Sequence, residues 1–161
     1  MGNVKKFELT SNFITTAFGK KLFRIKALIS FANIEAGEMG GYLEKEENLD
    51  QSGDAWVSGN ARVYGDAVVY GYAEVSGNAE VSGDAVVYGD ADYACVKGFG
   101  TAHRNTTFFR EKDGGVKVNC GCFYGDIESF RKQVEQTRTG KIAKEYLMIA
   151  DLMELHFKKE D

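Results

Sequence analysis

Residues Gln51 to Asp92 read QSGDAW, VSGNAR, VYGDAV, VYGYAE, VSGNAE, VSGDAV and VYGDAD when they are written in sixes. Position one of the hexapeptide is Val in six of the seven rows, position three is always Gly, and position five is always Ala. Position four is Asp or Asn in every row except at Tyr72. This fixed period indicates a repeat architecture in which short strands alternate with corners that Gly, Asp and Asn favour.

The length of a whole turn follows from a longer repeat. The heptapeptide GDAVVYG begins at Gly65 and again at Gly83, which are 18 residues apart. Three hexapeptides make 18 residues, so identical segments are expected to lie above one another at about 4.8 Å. This predicts a left-handed parallel β-helix over residues 34–104, clearest at 48–98. Weaker copies of the repeat place Met39, Gly41 and Leu43 in positions one, three and five, and Phe99 in position one.

The flanking segments predict caps for the two ends of the repeat. Alternating residues in the stretch 1–33 indicate an N-terminal cap of β-strands. Residues 105–123 indicate a β-hairpin that turns at Asp113-Gly114-Gly115, and residues 124–161 indicate two α-helices, the first capped by Asp126. The predicted fold class is therefore all-β with a helical appendage.

Composition excludes several classes of function. The 161-residue chain has a formal charge of −4 and no long basic run, so duplex nucleic acid is not an expected partner. It has no apolar stretch long enough to span a bilayer, so a membrane partner is not expected either. Cys95, Cys120 and Cys122 fit neither a disulfide framework nor a zinc motif, which favours reduced thiols in the cytoplasm. The two His residues are too few for a three-His metal site, so we expect no metal and no cofactor.

The outward positions of the repeat predict an interface. On one wall, apolar and aromatic side chains flank the inward valines on two successive turns: Val68, Tyr70, Val86 and Tyr88. The last predicted helix carries a broad apolar stripe that includes Tyr146, Ile149 and Met153. A patch of this kind is covered either by the chain's own C-terminal helices or by another subunit. We expect a homo-oligomer, a trimer or a dimer.

The chain resembles the phage- and prophage-type hexapeptide-repeat proteins, which are described as polymer-forming or acyltransferase-like. The resemblance rests on LFRIKALISFANIEAGEMGGYLEKEENL, on the repeat, and on CFYGDIESFRKQVEQ with the terminal helix. It implies a left-handed β-helix with flanking elements and carries no fixed reaction. Its phage context suggests an anti-defence protein that blocks a host immune factor or sequesters that factor's nucleotide signal.

These observations favour a non-catalytic binding or assembly protein of the host cell cytoplasm. The candidate polar contacts to a ligand are Arg62, Tyr64, His103 and Arg104. The alternative is a hexapeptide-repeat acyltransferase that uses an acyl-CoA donor. In that case His103 is the candidate general base, because it follows the last regular repeat.

Overall fold

A computed structural model describes residues 4–121 and 123–159 of the chain. This part contains thirteen strands and two α-helices, with short 3₁₀ turns at Glu46–Asn48 and Asp90–Asp92. The strands are β1 (Phe7–Thr15), β2 (Lys21–Ala27), β3 (Met39–Leu43), β4 (Trp56–Val57), β5 (Arg62–Val63), β6 (Val68–Val69), β7 (Glu74–Val75), β8 (Glu80–Val81), β9 (Val86–Val87), β10 (Tyr93–Phe99), β11 (Arg104–Arg110), β12 (Val116–Cys120) and β13 (Phe123–Asp126). The helices are α1 (Ile127–Thr137) and α2 (Gly140–Phe157).

The prediction of a left-handed parallel β-helix as the fold class is wrong. The strands form four small sheets: a mixed sheet in the order β1-β2-β3-β5-β8, an antiparallel sheet in the order β10-β11-β12-β13, and the parallel pairs β4-β7 and β6-β9. Strands β4 to β9 of the repeat have only two residues each, because the glycines from Gly53 to Gly83 adopt a positive φ and end the extended segments. The longer strands lie outside residues 51–92 and pair mostly antiparallel, with β3 also pairing in parallel with β5, so they set the fold class.

Within the repeat, residues 18 apart do pair in parallel. The pairs include Arg62 with Glu80, Val68 with Val86, and Trp56 with Glu74. The position-one valines and the position-five alanines of residues 53–89 are fully buried. We call this segment the repeat stack. Its interior is a narrow core in which each Val packs near the small Ala residues of the corners.

The predicted register upstream of the repeat stack is wrong by two residues. Leu43 pairs with Val63, and Leu49 forms a bridge with Val69. Both separations are 20 residues rather than 18. Leu43 therefore occupies a position-one site, not the position-five site that the spacing predicted. The two extra residues lie between Leu49 and Val57, where the chain enters the repeat stack.

The predicted downstream extension of the repeat to residue 104 is also wrong. After Gly89 the chain makes a 3₁₀ turn and enters β10, which pairs antiparallel with β11. Phe99 lies in β10 opposite Arg104, so it does not continue the repeat. Within residues 105–123, β11 and β12 pair antiparallel on either side of residues 111–115.

The upper end of the repeat stack is closed by three donors, one at each corner. The backbone carbonyls of Ala55, Ala61 and Ala67 have no turn of the stack above them. The Lys6 ammonium donates to Ala55 O at 2.6 Å, the Tyr42 backbone N–H donates to Ala61 O at 2.9 Å, and the Asn48 Nδ2 donates to Ala67 O at 2.8 Å. The Tyr42 bond belongs to the parallel ladder of β3 with β5, and the two side-chain bonds take the place of ladder bonds at the other two corners.

The C-terminal half forms a second core beneath the stack. Phe130 and Val134 of α1, and Ile149 and Met153 of α2, pack against the β10–β13 sheet. Asp126 caps α1 as predicted, since its side chain accepts a hydrogen bond from the Ser129 backbone N–H at 2.7 Å. Both helices therefore lie on the antiparallel sheet. Among the described residues, neither helix combines the length and the apolar character that crossing a bilayer requires.

Candidate functional site

The four predicted ligand contacts lie in two separate places. Arg62 and Tyr64 are on and after β5, on the side of the repeat stack. His103 and Arg104 are at the beginning of β11 in the antiparallel sheet. The structure therefore does not bring all four residues together into one site.

Tyr64 takes part in a polar contact inside the chain. Its hydroxyl donates to the Glu80 carboxylate on the next turn of the stack. Burial, together with that carboxylate, raises the pKa of Tyr64 well above its ordinary value of 10. An open depression of about 390 Å³ borders this tyrosine, with Asn119 and Phe18 on other sides. The Tyr64 hydroxyl therefore stays protonated and is already engaged as a donor.

His103 is exposed and does not line the nearest cavity. Its backbone has a φ of +51°, in the left-handed region that few non-glycine residues adopt. Its Nδ1 lies 3.0 Å from the Gly98 carbonyl oxygen, which fits a ring that donates from Nδ1. The tight turn before β11 accounts for its position. Within the described part of the chain, no three His, Cys, Asp or Glu side chains are grouped closely enough to hold a metal ion.

Arg104 borders a small cavity that we call the arginine pocket. It has a volume of about 130 Å³ and lies between α1, the beginning of α2 and the β11–β12 edge. Its lining residues are Thr101, Ala102, Arg104, Cys120, Phe123, Phe130, Gln133, Val134, Thr137, Arg138 and Tyr146. Two of them carry positive charge, and none of the described residues that line it carries negative charge.

The floor of the arginine pocket is fixed by internal hydrogen bonds. The Tyr146 hydroxyl donates to Phe99 O at 3.1 Å, and the Thr106 hydroxyl donates to the Cys120 sulfur at 3.1 Å. Burial raises the pKa of Tyr146, whereas the charges of Arg138 and Arg104 act in the opposite direction. Both guanidinium groups thus act electrostatically on the same hydroxyl.

A second feature is an exposed aromatic surface on the wall of β6 and β9. The ring centroids of Tyr70 and Tyr88 are 5.0 Å apart, and those of Tyr72 and Tyr88 are 5.1 Å apart, both in edge-to-face geometry. Tyr72 is 62% exposed and Tyr88 is 47% exposed. We call these three residues, with Val68 and Val86 beside them, the tyrosine surface.

Glycines seat these tyrosine rings directly against the backbone. A Cβ placed on Gly71 would lie 2.6 Å from the Tyr88 ring, and one placed on Gly89 would lie 2.9 Å from the Tyr72 hydroxyl. The Tyr88 ring therefore covers Gly71, which precedes Tyr72, and the Tyr72 ring covers Gly89, which follows Tyr88. Aromatic rings held in this way lose little freedom when a partner covers them.

The chain's own helices do not cover the tyrosine surface. Of the predicted interface residues, Tyr146, Ile149 and Met153 are buried within the chain, in the second core. The outer side of α2 presents Met148, Leu152 and Leu155 instead, all more than half exposed. Val68, Tyr70, Val86 and Tyr88 remain on the outer wall.

Sequence reasoning missed Tyr72 and Arg138. Tyr72 had a visible signal, because it is the one position-four residue of the repeat that is neither Asp nor Asn. No sequence signal marked Arg138, since a cation at the C-terminal end of a helix is common because it interacts favourably with the helix dipole. Only the packing of α1 against the sheet places it beside Arg104.

Comparison with known proteins gives this chain no relative: no family model matches it, and no curated protein matches it.

Proposed function

We propose that the protein is a non-catalytic binding and assembly protein that forms a homo-oligomer through its tyrosine surface. One observation carries this proposal: three edge-to-face tyrosines stand on a rigid wall, and two of them are about half exposed. Tyrosine is enriched at the energetic centres of protein interfaces because it buries a large ring and keeps a polar hydroxyl.

The area that Tyr72 and Tyr88 can bury supports them as anchors of the interface. A tyrosine has roughly 200 Å² to bury, so the exposed halves of Tyr72 and Tyr88 together offer about 200 Å². At about 25 cal/mol per Å² of apolar area, covering them contributes at most about 5 kcal/mol per chain before the entropic cost of association is subtracted. A stable interface buries about 800 Å² on each partner, so the surrounding rim must take part as well.

The charges around the tyrosine surface favour a second copy as the partner. Asp92 pairs with Arg110 at 3.3 Å, and the depression beside Tyr70 is lined by both signs of charge, including Glu111 and Lys112. A rim that carries both signs can face its own copy without net repulsion. A uniformly charged rim would oppose this arrangement.

The test is the oligomeric mass of a double variant, Tyr72→Ser with Tyr88→Ser, measured by size-exclusion chromatography with light scattering. We expect it to be monomeric under conditions where the parent chain is oligomeric. The matched control is Leu152→Ser, which removes a similarly exposed apolar group from the outer side of α2. Loss of the oligomer in the control but not in the double variant would contradict the proposal.

The biological setting that we propose follows from the sequence resemblance. We infer a phage or prophage protein that acts in the host cell cytoplasm and blocks a host immune factor or holds its nucleotide signal. The free thiols of Cys95 and Cys120 are consistent with a reducing compartment.

Calorimetric titration with cyclic and ADP-ribose-type nucleotides, and with acetyl-CoA, tests this setting. Nucleotide binding without turnover supports it. Acetyl-CoA turnover that is lost in His103→Ala would instead establish the acyltransferase alternative.

A further inference from the structure

The arginine pocket has the chemistry of an anion site. Arg104 and Arg138 both line it, and neither has a carboxylate partner among the described residues. The other arginine at this end of the molecule, Arg131, is bound by Glu128, Asp151 and Glu154. The two cations of the pocket are therefore available for an outside ligand.

The surroundings do not cancel this positive charge. The end of α1 contributes about half a negative charge from its free carbonyls, which leaves the pocket positive. The whole chain has a formal charge of −4, so a pocket with two cations is a local feature and not part of a generally basic surface.

The position of Arg104 depends on a glycine. Gly121 has a φ of +61°, and a Cβ added there would lie 2.0 Å from Nη1 of Arg104. The guanidinium therefore occupies the space that a side chain at residue 121 would fill. The absence of a side chain at Gly121 leaves room for the guanidinium at one wall of the pocket.

Size and donor set indicate which anion fits. The pocket is small, with a volume of about 130 Å³. A carboxylate can be satisfied by one guanidinium that binds it with two parallel bonds. Two guanidinium groups from different elements, with the polar side chains of Thr101 and Gln133 beside them, suit a tetrahedral group with three or more oxygens.

We propose that the arginine pocket binds a phosphate group, either as free inorganic phosphate or as the phosphomonoester of a small molecule. Arg104 and Arg138 hold its oxygens from two sides, and the apolar side chains of Phe123, Phe130 and Val134 line the pocket beside it. The site is separate from the tyrosine surface, so either proposal can fail without the other.

Calorimetric titration of the full chain with inorganic phosphate and with AMP tests the proposal. Arg104→Gln and Arg138→Gln are each expected to weaken binding at least tenfold, because each removes a charge-assisted hydrogen bond. The control is Arg24→Gln, in β2 of the mixed sheet, which should leave the affinity unchanged. Equal affinity for phosphate and AMP indicates free phosphate as the ligand, whereas tighter binding of AMP indicates a phosphomonoester.

A pair of glycine variants tests the pocket without changing either arginine. Gly121→Ala displaces Arg104, whereas Gly77→Ala, at a positive φ of 65° with no atom near the added Cβ, imposes similar backbone strain in the repeat stack, away from the pocket. We expect weaker phosphate binding in the first and unchanged binding in the second. The proposal is overturned if neither anion binds at millimolar concentration, or if the arginine variants bind as well as the parent chain.

Discussion

Asn48 closes one corner of the repeat stack, and its replacement by Asp removes both donors of that closure. Asn48 is fully buried. Its Nδ2 donates to Gly65 O at 3.1 Å and to Ala67 O at 2.8 Å, while its Oδ1 accepts from the Lys45 backbone N–H at 3.0 Å. Aspartate has almost the same shape as asparagine and keeps the oxygen that accepts from Lys45. Its second oxygen takes the place of Nδ2, so an oxygen that cannot donate faces the carbonyl oxygens of Gly65 and Ala67.

The expected loss can be worked from these contacts. Each buried carbonyl left without a donor costs about 1–3 kcal/mol, and the buried carboxylate adds a cost of its own, so Asn48→Asp should lower the free energy of unfolding by at least about 4 kcal/mol. Urea unfolding measures this loss through the fluorescence of Trp56, which is the only tryptophan and is buried.

The matched control is Asn78→Asp. Asn78 is exposed in position four of the repeat, where other rows already carry Asp, so we expect a change within about 0.5 kcal/mol. Equal losses in Asn48→Asp and Asn78→Asp would refute the reasoning, because they would show that the corner carbonyls do not depend on this side chain.

Three further predictions follow from buried contacts. Burial lowers the pKa of Lys6 from 10.5 to about 8, so the unfolded chain binds more protons between those values. The parent chain should therefore gain up to about 3 kcal/mol of stability over Lys6→Met as the pH rises from about 8 to 10.5, as measured by urea unfolding. Asp126→Ala should lower stability by about 1 kcal/mol, since it removes the cap of α1; no loss in urea unfolding would contradict this. Gly71→Ala should lower the melting temperature more than Gly77→Ala, because both have a positive φ but only the first meets the Tyr88 ring; equal melting temperatures would show that the ring contact is unimportant.

The repeat period predicted the contacts of the repeat stack but not the fold class. The 18-residue separation of Gly65 and Gly83 follows from identical hexapeptides, so the pairing of Val68 with Val86 could be derived from spacing alone. The same spacing could not show that the longest strands would pair antiparallel outside the repeat. It also could not show the two extra residues before Val57, which shift Leu43 into the position opposite Val63.

The candidate sites could be predicted less completely than the repeat, because they depend on how distant segments of the chain pack together. Tyr70 and Tyr88 could be placed on one outer wall from their positions, and Tyr72 was visible as a departure from the pattern. The arginine pocket forms only because α1 ends beside β11, which brings Arg138 next to Arg104. Lys6 and Asn48 donate hydrogen bonds to carbonyls that are distant in the sequence. No local sequence pattern marks a side chain that caps another segment.

The mass of the parent chain in solution tests the central claim most directly. The claim is that the tyrosine surface is covered by a second copy, so sedimentation equilibrium at micromolar concentration should give two or three times the chain mass of 17.8 kDa. A mass of one chain across the micromolar range would contradict it.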